Sequence, residues 1–282
     1  MTTPEGALAR EDAFPPRRRE TGMVAPSDAE IVSRVHLGDL AAFDVIADRH
    51  RPALRNLARM LDPIGAEGDL VSEALDMARA TMALGRGPAI ALRAWLLMIT
   101  RHVYDARSAC EVQPFFGEGA TFRAEPFTDH RLRTSAHARV VGAFATLPEA
   151  WQAALWHHDV EGSSEAAIAE ILGMHEQFVA GIVVRARLEL RAAVRALHMR
   201  DANPTCRAML AQSRDGSGPA SSYELGRHLS DCGACISAQL DLVAVVGSLA
   251  PIIGTYLLGE AAAQYPWQPP AEPVAPAVDS AY

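Results

Sequence analysis

Apolar residues along this chain recur every three or four positions, in runs separated by proline, glycine and serine. Valine–threonine alternation of the kind that marks strands is absent, so the pattern predicts an all-α protein. Residues 1–26 lack any period and read as a disordered arm, whose run Arg17, Arg18 and Arg19 is expected as a solvated tail in preference to a DNA contact. Ser27 opens the first periodic unit as an N-cap, with Glu30 completing a capping box. Helices follow over AEIVSRVHLGDLAAFDVIADRHRPALRNLARML, DLVSEALDMARATMAL and IALRAWLLMITRHVYDARS, with breaks at Asp62-Pro63, Gly65 and a Gly-Pro pair. Leu92, Leu96 and Ile99 share a helical face with Trp95, which places that ring in a core. Periodicity then fails over 108–133, a linker in which Cys110 stands alone.

The most structured text runs from Leu147 to Arg187. It predicts two short amphipathic helices and a longer third. Trp151, Ala154 and Leu155 mark the first. Val160, Glu161 and Gly162 break it, and Ser163 or Ser164 caps the second, with Glu165 in its first turn. Ala166, Ile168, Ala169, Ile171 and Leu172 make that helix apolar, and Gly173 supplies a turn. The third begins at about His175 and directs Phe178, Val179, Ile182 and Val183 inward. Helix, glycine turn, helix is the layout of a helix-turn-helix, whose second helix enters the DNA major groove.

Wording adds to geometry. LPEAWQAALW, EGSSEAAIAEILGM and VVRARLELR resemble the promoter −35-binding domain, region 4, of extracytoplasmic-function sigma factors. Upstream, "V-x-x-G-D-x-x-A-F" (Val35 to Phe43), "R-H-R-P-A-L" (Arg49 to Leu54), "D-L-V-x-E-A" (Asp69 to Ala74) and "R-A-W-L-L-x-I-x-R" (Arg93 to Arg101) resemble region 2 of the same family, in the right order. The resemblance implies two small helical sigma domains, at 27–107 and 134–200, the second a helix-turn-helix. It implies RNA polymerase core as partner, through the β′ clamp helices and the β flap, with Asp69, Leu70 and Glu73 at the clamp contact. It also implies promoter DNA, with Arg93, Arg101, His102 and Arg107 on the −10 element and Arg185, Arg187 and Arg191 on phosphates near −35. One departure bears on specificity. Where the family carries basic and hydroxyl residues, this chain has Ala180, Gly181, Ile182 and Val184. A leading turn without donors does not read base edges, whereas arginines further along position without specifying.

Composition changes the picture in two places. The 282 residues carry a net charge of −8, and every basic residue among the 26 is arginine. Overall charge is therefore no guide to DNA binding, which is local to one face. There are four cysteines, and MTTPEGALAREDAFPPRRRE has no apolar run of a secretory leader. The expected setting is cytoplasmic and reducing, where clustered cysteines hold metal. His228, Cys232 and Cys235 form H-x3-C-x2-C, one helical turn apart, and Cys206 would complete a Cys3His tetrahedron: a structural zinc site with no open position for catalysis. The spacing resembles the zinc-binding anti-sigma domain, which implies a third helical module at 201–262, regulating the sigma domains in cis or binding a separate anti-sigma partner.

Leu242 to Gly259 is uncharged throughout, which reaches the shortest length of a membrane span. Its glycines, its proline and the lack of a following arginine favour a helix buried against the sigma domains over a membrane contact. The tail, 263–282, is proline-rich and reads as disordered. No phosphate loop, nucleophile elbow or paired carboxylate motif is present, so no enzyme is expected. The expectation is a sigma factor that starts DNA-templated transcription. Its rivals are a degenerate sigma-like regulator that binds polymerase without reading promoters, and a membrane-tethered sensor.

Overall fold

A computed structural model describes residues 25–65, 67–109, 137–212, 226–247 and 249–258, and these are all-α. Most of the expected arm, linker and tail lies outside them, as do Arg17 to Arg19 and Cys110.

The first unit is built from α1 (Asp28–His36), α2 (Phe43–Leu61), α3 (Glu67–Ala83) and α4 (Leu92–Ala109). The capping box forms as the spacing predicts. Ser27 N–H donates to Glu30 Oε2 at 2.8 Å, and Glu30 N–H donates to Ser27 Oγ at 3.3 Å. Each helix turns an apolar stripe inward: Ile31 and Val35, Phe43 and Ile46, Val71 and Met82, and Leu92, Trp95 and Ile99 are all buried. The turn before α4 needs a glycine. Gly87 has φ +96°, and a Cβ there would lie 3.1 Å from the Trp95 ring.

The second unit holds α5 (Ala138–Ala145), α6 (Glu149–Leu155), α7 (Glu165–Leu172) and α8 (Val179–Asp201). α6 runs on into a π turn, Trp156–Val160, which keeps Trp156, His157 and Val160 inside. Ser164 caps α7 by accepting from Ala167 N–H. Gly173 closes α7 in the left-handed region (φ +70°), and the chain bends by 99° between Glu165–Leu172 and Glu176–Asp201. That bend falls in the range of a helix-turn-helix. One expectation needs correction. Phe178 is 40% exposed, because the buried stripe of α8 runs Val179, Val183, Ala186, Leu190 and Val194, and a residue one step ahead is rotated off it by about 100°. Ile182 is half-buried at the edge of that stripe.

The chain continues through α9 (Pro204–Gln212), α10 (226–231), α11 (Gly233–Gly247), a π turn (Ala250–Gly254) and α12 (Thr255–Leu258). α11 packs along α8 and α5, while α12 packs on α4 and the second π turn rests on the first. Leu242, Val245, Leu249, Ile253 and Leu257 therefore join one hydrophobic core that spans both earlier units. No single helix among the described residues is long and apolar enough to cross a membrane; this apolar segment bends by 103° between Gly233–Val245 and Ala250–Leu258. A second, small cluster of Cys206, Cys235 and Ala238 stands apart from the main core.

Candidate functional site

Four ligand-type side chains meet in that small cluster. Cys206 lies on α9, where Asn203 Oδ1 accepts its backbone N–H at 2.8 Å. His228 lies on α10, Cys232 in the break after it, and Cys235 in the first turn of α11. Their donor atoms all fall within 4.8 Å of one another. Cys206 Sγ is 3.6 Å from both His228 Nε2 and Cys232 Sγ, and His228 Nε2 is 3.2 Å from Cys235 Sγ. A tetrahedral ion with metal–sulfur bonds of about 2.3 Å needs ligand atoms roughly 3.5 to 3.8 Å apart, so the group can hold one metal ion with small adjustments. Burial and the neighbouring Cys206 and Cys232 sulfurs push the Cys235 thiol up to about 12, whereas the Cys235 backbone N–H and the Cys206 thiol hold Cys232 below its ordinary value. Three thiolates in contact repel one another unless a cation lies between them.

A larger polar assembly joins the first unit to the second. Asp28 and His50 are both fully buried, and His50 Nε2 lies 2.9 Å from Asp28 Oδ2. The other ring nitrogen, Nδ1, accepts from Arg93 Nε at 2.9 Å. One nitrogen accepting and one donating fixes a neutral imidazole protonated on Nε2. Burial and the Arg93 charge accordingly push His50 down to about 4, against the pull of Asp28. Arg93 Nη1 then reaches both oxygens of Glu161, at 2.9 and 3.1 Å, and His157 Nδ1 lies 2.9 Å from Glu161 Oε2. Burial would raise the Glu161 carboxyl. The Arg93 charge and the bonds from His157 and Trp156 outweigh it and bring the group to about 2. Asp28 behaves alike, with hydrogen bonds and charges from His50 and Arg49 holding it low against burial.

Two further links lie along the same seam. Arg49 pairs with Asp28, donates to the Pro26 carbonyl at 2.9 Å, and meets Glu170 of α7 at 3.1 Å. Glu149 Oε2, at the start of α6, accepts from the Ala89 and Ile90 N–H groups at 2.8 Å each.

The residues expected to meet DNA or polymerase are distributed as follows. Asp69 is exposed and Glu73 is half-exposed. Leu70 is 2% exposed and belongs to the core; the reason is the helical period, which turns it inward with Val71 and Ala74. Its side chain therefore presents nothing to a partner, which corrects that expectation. Arg107 Nε donates to Glu73 at 2.8 Å, so one expected DNA contact pairs with one expected polymerase contact. Arg101 Nη1 donates to the Leu257 carbonyl of α12 at 3.2 Å, and His102 is half-buried beside it in sequence. On α8, Arg185 pairs with Glu189 at 3.1 Å, Arg187 Nε donates to Asp159 at 2.8 Å, and Arg191 is half-buried.

His50, Glu149, Glu161 and Glu170 fall inside the motifs quoted above, yet nothing in those motifs, or around Asp28, points to their joining one polar assembly. Each looked like an ordinary first-turn acid, surface carboxylate or scattered histidine, because what joins them is tertiary. Asp241 did carry a signal, since it is the lone charge interrupting an apolar run. It is buried, with His198 Nε2 at 2.8 Å and His137 Nδ1 at 2.9 Å. No protein-family model matches the chain, and no curated protein matches it.

Proposed function

We propose that the chain is a sigma-type transcription initiation factor that carries its own structural zinc module. The observation behind this is the helix-turn-helix of α7 and α8: a left-handed Gly173 turn, a Ser164 cap and a 99° bend, found where the chain's wording resembles region 4. In this reading the exposed carboxylates Asp69 and Glu73 on α3 engage the polymerase clamp helices. Arg93, Arg101, His102 and Arg107 on α4 hold the backbone and unpaired bases of the −10 region. Arg185, Arg187 and Arg191 hold phosphates upstream, and the second unit meets the β flap. Cys206, His228, Cys232 and Cys235 hold zinc, which supplies four fixed bonds that tie α9 to α10 and α11 and leaves no position open for chemistry.

A second reading has its own support. Ala180, Gly181 and Val184 are exposed on the leading turns of α8 and offer no side-chain donors. A protein of this kind would bind polymerase without reading a −35 sequence. In-vitro transcription separates the two. The full chain, with and without a zinc chelator, is incubated with core RNA polymerase on a library of promoter-sized fragments, and core capture is measured in parallel. Discrete transcripts support the initiation factor. Capture without transcripts moves the assignment to the regulator, and absence of capture removes both.

A further inference from the structure

Arg93 sits on the helix whose polar edge the sigma reading assigns to nucleic-acid phosphate, yet its guanidinium is already occupied. Nε is on His50 and Nη1 is on both oxygens of Glu161, with 15% of the side chain exposed. Glu161 comes from the other helical unit, in the loop that ends the π turn after α6. A carboxylate whose two oxygens share one guanidinium nitrogen presents the negative charge and acceptor oxygens that a phosphate would present. The neighbouring links along the seam are of the same kind, from Glu149 onto the N–H groups before α4 and from Glu170 onto Arg49. At the far end of α4, the Leu257 carbonyl takes Arg101. Two α4 cations are thus covered from outside the first unit, Arg93 by Glu161 and Arg101 by the Leu257 carbonyl, while Glu149 and Glu170 fasten the second unit beside them.

We infer that Glu161 is an internal substitute for nucleic-acid phosphate, holding the chain closed until an incoming strand displaces it from Arg93. The inference rests on the sigma reading for the identity of the strand. The geometry favours an exchangeable contact over a purely structural one. Breaking a buried pair is costly when it leaves a charge uncompensated, and here a strand phosphate replaces the carboxylate on Arg93 while Glu161 keeps its contact with His157. His50 and His157 remain as hydrogen-bonding neighbours to the two partners when they separate.

The test is binding of a fluorescein-labelled, mixed-sequence single-stranded oligonucleotide to the full chain as salt is raised. Glu161→Gln is expected to tighten binding about tenfold at low salt. It should also steepen the dependence of log affinity on log salt by about 0.7, the contribution of one added phosphate contact on a single strand. Adding Arg93→Gln to that variant should return both quantities to the wild-type values. A Glu161→Gln chain that folds, by far-UV circular dichroism, and shows wild-type affinity and slope overturns the inference. If that variant does not fold, Glu149→Gln loosens the same seam with Arg93 and Glu161 intact and should raise affinity severalfold; unchanged affinity overturns the inference there too. Core-polymerase capture by the same preparations reads the sigma assignment separately. Capture with an unchanged salt slope removes the internal substitute alone, whereas a steeper slope without capture leaves a nucleic-acid-binding switch and removes the polymerase.

Discussion

His198 on α8 and Asp241 on α11 meet at 2.8 Å in a buried contact that fastens the C-terminal apolar helix to the second helical unit. His137 ahead of α5 approaches the second carboxylate oxygen at 2.9 Å, so three elements converge on one charge. Burial would raise the Asp241 carboxyl, but the hydrogen bonds and charges of His198 and His137 hold it below its ordinary value. Asp241→Ala leaves the His198 donor facing an apolar wall. The expected loss is about 2 to 3 kcal/mol of unfolding free energy, measured by urea denaturation at neutral pH. Because the folded-state value is depressed, this contribution is full above the unfolded carboxylate value and fades as pH falls through the folded one. Asp241→Ala should therefore cost less at strongly acid pH than at pH 7, and an equal cost at both would refute the assignment.

Gly173 carries two separable requirements. Its φ of +70° disfavours any side chain, and a Cβ there would lie 2.8 Å from the Ser27 Cβ and 3.0 Å from its Oγ. Gly173→Ala is expected to cost about 1 to 2 kcal/mol from the left-handed backbone and about 1 to 3 kcal/mol more from the clash. Ser27→Gly removes the clashing atoms and, at an N-cap, costs only a few tenths of a kcal/mol. In a double-mutant cycle the pair should recover the clash and not the backbone strain. Additive losses would mean that α7 moves away from α1 to relieve the contact.

Helix identity was legible in the sequence because it depends on local spacing. The Ser27–Glu30 box, the Ser164 cap, the Gly173 turn and the inward placing of Trp95 all rest on residues within a few positions of one another. The Cys3His group is legible for a related reason: three of its members share one short motif, and only Cys206 comes from elsewhere. What escaped was long-range. Arg93 and Glu161, or Glu149 and Ile90, are brought together by the way the two helical units pack, and no period encodes that. Phe178 departs from the expected inward stripe because the α-helical phase begins at Val179, after a short 3-10 turn over Glu176–Phe178. Leu70 falls in the core because the resemblance transfers a motif as a block, whereas on α3 it is rotated by about 100° from Asp69 and faces inward.

The seam between the units should make the fold acid-sensitive in two steps. His50 is neutral in the folded chain down to about pH 4, while in the unfolded chain it takes up a proton near its ordinary value of 6.5. The unfolded state thus binds more protons between those values, so stability falls as pH drops from 6.5 to 4, by a loss on the order of 3 kcal/mol. Glu161, depressed to about 2, stabilises the fold above the ordinary carboxylate range and gives that up as pH falls from about 4.5 to about 2. Urea midpoints measured across pH 3 to 8 should show both limbs. His50→Gln can still bridge Asp28 and Arg93 but does not titrate, and it should flatten the upper limb while leaving the lower one. An unchanged upper limb would assign it to another histidine.

The Cys3His group makes the last prediction, because its assembly and the main core are distinct packing units. Cys206, Cys235 and Ala238 form their own small cluster, with Met199, Ala202 and Leu229 packed on it, and the four candidate ligands come from α9, α10, the break after it and α11. Zinc should bind with one ion per chain, and Cys232→Ser should abolish it. Each coordinating thiol must lose its proton, and Cys235 starts from about 12, so loading at pH 7 should release on the order of two to three protons, readable with an indicator dye. Chelation should then loosen α9, α10 and the start of α11, seen as faster amide exchange there. Exchange in α8 at Leu190 and Val194, buried in the main core, should stay slow. Proton release with no change in exchange would describe a site that is preformed without metal. Loss of protection throughout α8 would instead show that the ion supports the whole fold, with the second helical unit depending on the segment that follows it.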